Sequence, residues 1–199
     1  MTGGEPDPAI IRPARPDELE VLVEMNAHYR AAEHQHRIAT DTGEDATGRA
    51  ADDNNDVGSE TVNSEQSESE RSDSEQSDSE QSARRRARAG LAPLLEQRAP
   101  GGVWMVLDDT GAAIGYAILA WSWSVEIGGP EAVLDEFYVA RRGEGFGSRA
   151  LEAIVRQAWD HGMLRIFMET ERANDRARSL YLRHGFEADD SIWLSRLPE

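Results

Sequence analysis

Between positions 132 and 186 the chain gathers the residue types and turns that could do chemistry. An apolar run at 132–139 leads into Arg142-Gly143-Glu144-Gly145-Phe146-Gly147-Ser148, where an amphipathic stripe of Phe146, Ala150, Leu151, Ile154, Val155 and Ala158 begins. Glycines let backbone N–H groups approach an anion closely, and the N-terminus of the helix that the stripe predicts adds partial positive charge. The loop therefore reads as an amide cradle for a diphosphate. Two other readings compete with it. One is a glycine-rich strand-to-helix turn that holds nothing. The other is a dinucleotide fingerprint, with Glu169 or Glu171 imitating its ribose-binding acid. That reading is weakened because Ser148 stands where the third glycine belongs and residues 140–142 separate the glycines from the strand.

Three further features sit near this loop in sequence. Asp135 and Glu136 are adjacent in Leu134-Asp135-Glu136-Phe137-Tyr138-Val139, and either carboxylate could take a proton from a nucleophile. Strand alternation groups Asp135 with Val133 and Phe137, and Glu136 with Leu134 and Tyr138, so only one acid can face a cleft. Asn174 stands where it can cap the helix that follows. Tyr181 shares a helical face with Ala177, Leu180 and His184, a spacing that by itself describes a core tyrosine.

These residues need elements to position them. Positions 9–12 read as a strand, and Pro16-Asp17 opens a helix carrying Leu19, Leu22, Val23 and Asn26 at helical spacing. Residues 84–97 read as a helix with Leu91, Leu94 and Leu95 on one face. A hairpin follows, with strands at 103–107 and 113–121 around Asp108-Asp109-Thr110-Gly111. Strands at 132–139, 164–168 and 191–196 alternate with helices at the glycine loop and at 175–184, closed by Gly162 and Gly185. The class is α/β of the α+β type, a mixed and mostly antiparallel sheet flanked by helices.

Composition removes several chemistries. The 199 residues include no Cys and no Lys, and the formal net charge is −17. Thiol nucleophiles, thiolate metal sites, Schiff-base chemistry and a phosphate-loop lysine are thereby excluded. The acidity opposes nucleic-acid binding, and no apolar run is long enough to span a bilayer. A soluble, cytoplasmic protein is expected. His28, His34 and His36 lack the spaced acids that would complete a metal set, so no metal is expected. Residues 41–82 hold 14 acids, two arginines and only Val57 and Val62 as large apolar side chains. The segment 40–82 thus reads as a disordered acidic insertion within one domain spanning 9–199. Arg84, Arg85, Arg86 and Arg88, directly after it, are expected to meet its carboxylates.

The loop resembles the acyl-CoA signature of the GNAT superfamily of N-acetyltransferases, R/Q-x-x-G-x-G/A, at Arg142, Gly145 and Gly147. A second segment, NDRARSLYLRHGF, is similar to that superfamily's N-x-x-A-x-x-L/F-Y-x-x-x-G-F at Asn174, Ala177, Leu180, Tyr181, Gly185 and Phe186. Outside 134–186 the likeness, from 10 to 197, is one of element order, and the acidic insertion has no counterpart. The resemblance implies an acyl-CoA-binding core at 132–186 and acetyl-CoA as co-substrate. It implies pantetheine binding by the backbone of Phe137, Tyr138 and Val139, and diphosphate binding by the amides of Arg142, Gly143, Glu144, Gly145, Phe146, Gly147 and Ser148. It further implies a cofactor contact for Asn174 and, for Tyr181, the role of general acid toward the departing thiolate. The Leu-Asp-Glu-Phe-Tyr-Val run is similar to the L-E-D-F-F-V of diamine acetyltransferases, which implies a base at Asp135.

The implied activity is acetylation of a primary amine, small or polyamine-like. Its rivals are acetylation of a protein N-terminus or lysine, and a non-catalytic acyl-CoA-binding regulator. Trp121, Trp123, Glu126 and the Gly128-Gly129-Pro130 turn could wall the amine pocket, although aromatics at alternate strand positions are more often core. A homodimer stays open.

Because residues 41–82 offer a core almost nothing apolar, replacing them by a short Gly/Ser linker should leave a domain that unfolds cooperatively in urea. Loss of the cooperative transition, followed by circular dichroism, would show that the segment contributes to the core.

Overall fold

The computed structural model describes residues 10–44, 64–192 and 194–198, with side chains described outside 33–76. In chain order the elements are β1 (Ile11–Pro13), a 3₁₀ turn (Pro16–Glu18), α1 (Leu19–Glu44), α2 (Ser64–Leu95), β2 (Gly101–Leu107), β3 (Ala113–Ser124), β4 (Gly129–Val139), α3 (Phe146–Asp160), β5 (Arg165–Phe167) and α4 (Asp175–Arg183). One sheet runs β1-β2-β3-β4-β5, antiparallel except for the parallel β4–β5 pair. The expected mixed, mostly antiparallel sheet flanked by helices is what forms. The expectation of a disordered insertion falls partly on 45–63, which lie outside the described residues, while α2 begins at Ser64 rather than near Arg84.

Both sheet faces are covered, and strand alternation sorts the side chains between them. Val103, Met105, Tyr116 and Ile118 pack with Leu22 and Val23 of α1 and Leu91 and Leu95 of α2. Trp104, Ala117, Leu119 and Leu134 pack on the opposite face with Leu151, Ile154 and Ala158 of α3 and Tyr181 of α4. Arg84 and Arg88 of α2 pair with Glu24 and Glu20 of α1. These described pairings tie two arginines of the run to α1, while the side chains of the acidic tract up to residue 76 lie outside the described ones. The hairpin turn is held by Asp108, whose Oδ1 accepts from the Thr110 and Ala112 N–H groups and from the Thr110 hydroxyl.

Two expectations require correction. Residues 191–196 were expected as a last strand, yet the described residues there form none, and Ile192 and Leu194 are exposed. Alternation can suggest a strand, but only a neighbouring edge can pair it, and β5 is three residues long. The second correction concerns β4. Its register with β3 shifts between Ile118, opposite Glu136, and Leu119, opposite Leu134, leaving Asp135 as the extra residue of a bulge. Leu134 consequently joins Phe137 on the α3 face, while Tyr138, after Glu136, packs toward α1. Strict alternation had grouped Leu134 with Glu136, and the bulge separates them.

Gly115 lets β3 and β4 approach closely: a Cβ there would stand 2.0 Å from the Tyr138 carbonyl oxygen and 3.0 Å from the Val139 Cα. Both obstacles are backbone. Gly115→Ala should lower the unfolding free energy by about 1–3 kcal/mol, read from the shift of the urea midpoint at constant slope.

Candidate active site

The glycine loop joins the end of β4 to α3. Gly143 and Gly145 have φ of +84° and +83°, left-handed values that a side chain would strain, and Gly145 is the N-cap of α3. Having no side chain, this cap offers the first-turn amides no acceptor, and the first turn holds no acidic residue. Outward amides and the helix dipole can together receive anionic oxygens. Phe146 plugs the loop into the core, being 4% exposed. Arg141 lies 4.8 Å from its ring centroid while pairing with Glu144 and, at 2.9 Å, with Asp108 of the hairpin turn. Arg149 reaches Asp109 at 2.9 Å. Two arginine–aspartate pairs thus join the hairpin turn to the loop. The Asp108 carboxyl is held below its ordinary range, first by the Thr110 hydroxyl and then, against partial desolvation, by backbone N–H groups and Arg141.

β4 is paired with β3 along its length but with β5 only at Glu131, Ala132 and Val133. From Leu134 to Val139, a stretch that includes Phe137, Tyr138 and Val139, its other edge has no strand partner among the described residues, since β5 ends at Phe167. Glu131 marks the last joined stretch, accepting from Ser122 Oγ at 3.0 Å and from Arg165 at 2.8 Å. α4 approaches the loop from the same side of the sheet as α3. Leu180 Cδ2 is 3.8 Å from where a Cβ on Gly147 would stand, and the next residue, Tyr181, is 8% exposed with its ring edge-on to Phe186 at 5.7 Å. Asn174 caps α4, its Oδ1 accepting from the Ala177 N–H at 3.1 Å. The cap uses one lone pair of Oδ1 and leaves the amide nitrogen out of it.

The two adjacent acids have different surroundings. Asp135, at the bulge, is exposed. Glu136 is 8% exposed and engaged on both oxygens: Oε2 accepts from Asn26 Nδ2 and Tyr116 Oη, each at 2.7 Å, and Oε1 accepts from Arg30 Nη2 at 2.7 Å. Asn26 Nδ2 is also 3.1 Å from the Tyr116 hydroxyl. Burial foremost, then the Glu136 charge, pushes the Tyr116 hydroxyl above its ordinary pKa, so it remains a donor. Glu136 thus receives three donors, one of them cationic. Sequence reasoning missed Asn26, Arg30 and Tyr116 as partners of this acid. The available signal was Asn26, a polar residue in the apolar stripe of α1.

The weaker candidates are placed apart. Trp121 stacks on His161 at 5.3 Å and meets Trp104 edge-on at 6.2 Å, within the α3-face cluster. Trp123 is 69% exposed, and Glu126 lies 3.6 Å from Arg165. Gly128 makes the β3–β4 turn with φ of +72°.

The acetyltransferase (GNAT) family matches residues 62–186. No curated protein matches the chain. Among solved structures, an integron cassette protein from the mobile metagenome of Cole Harbour Salt Marsh is similar at 21% identity and a TM-score of 0.55, over 94% of this chain and 90% of that one. A ribosomal-protein-alanine N-acetyltransferase from Brucella melitensis biovar Abortus 2308 is similar at 16% identity and a TM-score of 0.55, over 94% of this chain and 99% of that one. At such identities the likeness is one of fold.

Tyr116→Phe should cost about 1–3 kcal/mol of stability, because it removes one donor from a buried carboxylate and keeps the ring. Urea unfolding measures this, and an unchanged midpoint would mean that the hydroxyl contributes nothing to holding Glu136.

Proposed function

This chain belongs to the acetyltransferase (GNAT) family and is an acyltransferase, and we propose that it moves the acetyl group of acetyl-CoA to a primary amine of a small or polyamine-like molecule. The observation that carries this reading is the side-chain-free cap of α3, the left-handed Gly145 with left-handed Gly143 before it, after the stretch of β4 that has no pairing with β5. In this reading the amides from Arg142 to Ser148 hold the diphosphate, and the main chain of Phe137, Tyr138 and Val139 aligns the pantetheine arm. Asn174 adds a contact beside it. The reaction needs no lysine, because amide donors and a helix dipole supply the positive potential.

Transfer proceeds by direct attack. The ammonium loses one proton to become the free amine, which adds to the thioester carbonyl. As the C–N bond forms nitrogen gives up a second proton, the C–S bond breaks, and the leaving sulfur takes a proton, so that one proton is released to solvent overall. Asp135 is the proposed acceptor of the amine's proton, directly or through water, since its carboxylate is exposed at the bulge and Glu136 already receives three donors. Tyr181 is the proposed donor to the departing sulfur. Its hydroxyl is carried on a ring packed in the α3-face cluster beside the helix that begins at the loop, where little water competes. Acetylation of a protein N-terminus or lysine is the rival reading of the acceptor.

The test is turnover of acetyl-CoA with small monoamines, diamines and amine-bearing peptides, for the wild type and Tyr181→Phe. The reading expects small amines to be acetylated, and peptides turning over in their place would favour the rival. At saturating acetyl-CoA the variant should lose about 10²–10⁴-fold in kcat while its cofactor affinity and stability change little. Wild-type turnover by the variant would remove Tyr181 from the chemistry.

A further inference from the structure

Glu136 is tied to α1 in a way that packing alone does not require. The neutral donors Asn26 and Tyr116 both serve Oε2, while Oε1 takes the guanidinium of Arg30, a side chain 59% exposed that reaches down to a carboxylate only 9% exposed. Aromatic rings surround this entrance. Tyr116 and Tyr138 stand 6.0 Å apart, Tyr29 and Tyr138 6.2 Å apart, and the Arg30 guanidinium is 5.6 Å from the centroid of Tyr29. A buried carboxylate is a receptor for a cation, and the Tyr29 ring beside the Arg30 guanidinium attracts the same charge. Here the cation comes from the protein's own surface.

We propose that this is the subsite for a second, cationic group of the acceptor, and that Arg30 occupies it until the acceptor arrives. The inference rests on the reading of the chain as an amine acetyltransferase. Glu136 follows Asp135 directly on the stretch of β4 that lies beyond its pairing with β5, and its carboxylate faces α1. An acceptor that reaches both must therefore extend from the proposed base to the α1 side of the strand. Exchange of one cation for another keeps Glu136 paired throughout and avoids the large cost of a bare buried charge. Arg30, released to solvent, regains the rotamer freedom it gave up. A neutral acceptor gains nothing by displacing it. An anionic acceptor would draw Arg30 off and strip the carboxylate of its counter-charge. The site therefore selects an acceptor that carries an ammonium besides the amine to be acetylated.

The experiment compares 1,4-diaminobutane with butylamine in the full chain and in two variants. Glu136→Gln, which keeps the shape, should raise the KM of the diamine about tenfold or more relative to that of butylamine, as expected for loss of a charged partner. Arg30→Ala removes the competitor and should lower the same ratio. Arg30→Ala leaves Glu136 its two neutral donors, and Arg30→Gln, which keeps a neutral donor in reach, tests the same expectation if either of the other variants fails to fold. An unchanged ratio in Arg30→Ala, or an equal fall in kcat for both amines in Glu136→Gln, would overturn the proposal. If the wild type acetylates neither amine, the acceptor reading fails separately. Calorimetry with 1,4-diaminobutane then decides the subsite: binding that tightens in Arg30→Ala supports it, and no binding to the wild type overturns it.

Discussion

The single extra residue in β4 governs most of what surrounds it. By taking Asp135 out of register, the bulge places Leu134 under α3 while Glu136 faces α1, and so sends two residues that alternation would put on one face to opposite sides of the sheet. It also falls just beyond the last residues that pair with β5. A strand bends and twists more strongly at a bulge, and a parallel neighbour with slanted hydrogen bonds is readily lost there. Divergence of β5, exposure of Asp135 and burial of Glu136 thus have a common origin. Gly115 stands farther along the same β3–β4 pair, where the two backbones come closest.

Burying a carboxylate beside an apolar core is costly unless its oxygens are satisfied. α1 meets that requirement with Asn26 and Arg30, one helical turn apart, and β3 adds Tyr116. The cost of leaving Glu136 without these donors fixes the helix over the sheet as firmly as Leu22 and Val23 do. The same residues give the face its charge and aromatic character. Stability and recognition therefore draw on shared groups.

On the opposite face, a chain without lysine has its backbone to offer in the proposed anion cradle. The glycine cap leaves the amides of α3 without a competing side chain, and the arginines nearby serve a different purpose. Arg141 and Arg149 face Asp108 and Asp109 and brace the loop against the hairpin turn. Each exposed pair contributes little alone. Together with Phe146 in the core, they limit the positions that the loop can adopt.

The sequence by itself determined the local features: the glycine loop and the helix after it, the α4 segment from Asn174 to Tyr181, the hairpin around Asp108, and the class of fold. Each rests on residues a few positions apart, because turn geometry, helical periodicity and cap chemistry act over that range. What tertiary structure decided lay between distant segments. Register between β3 and β4 separated Leu134 from Glu136, which alternation alone had grouped on one face. The partners of Glu136 came from positions 26, 30 and 116, and the described partners of Arg84 and Arg88 from α1. Residues 191–196 had the alternation of a strand but no described edge to join. A pattern along the chain can specify which way a side chain repeats, but not which surface meets it, because pairing and burial are properties of two segments at once.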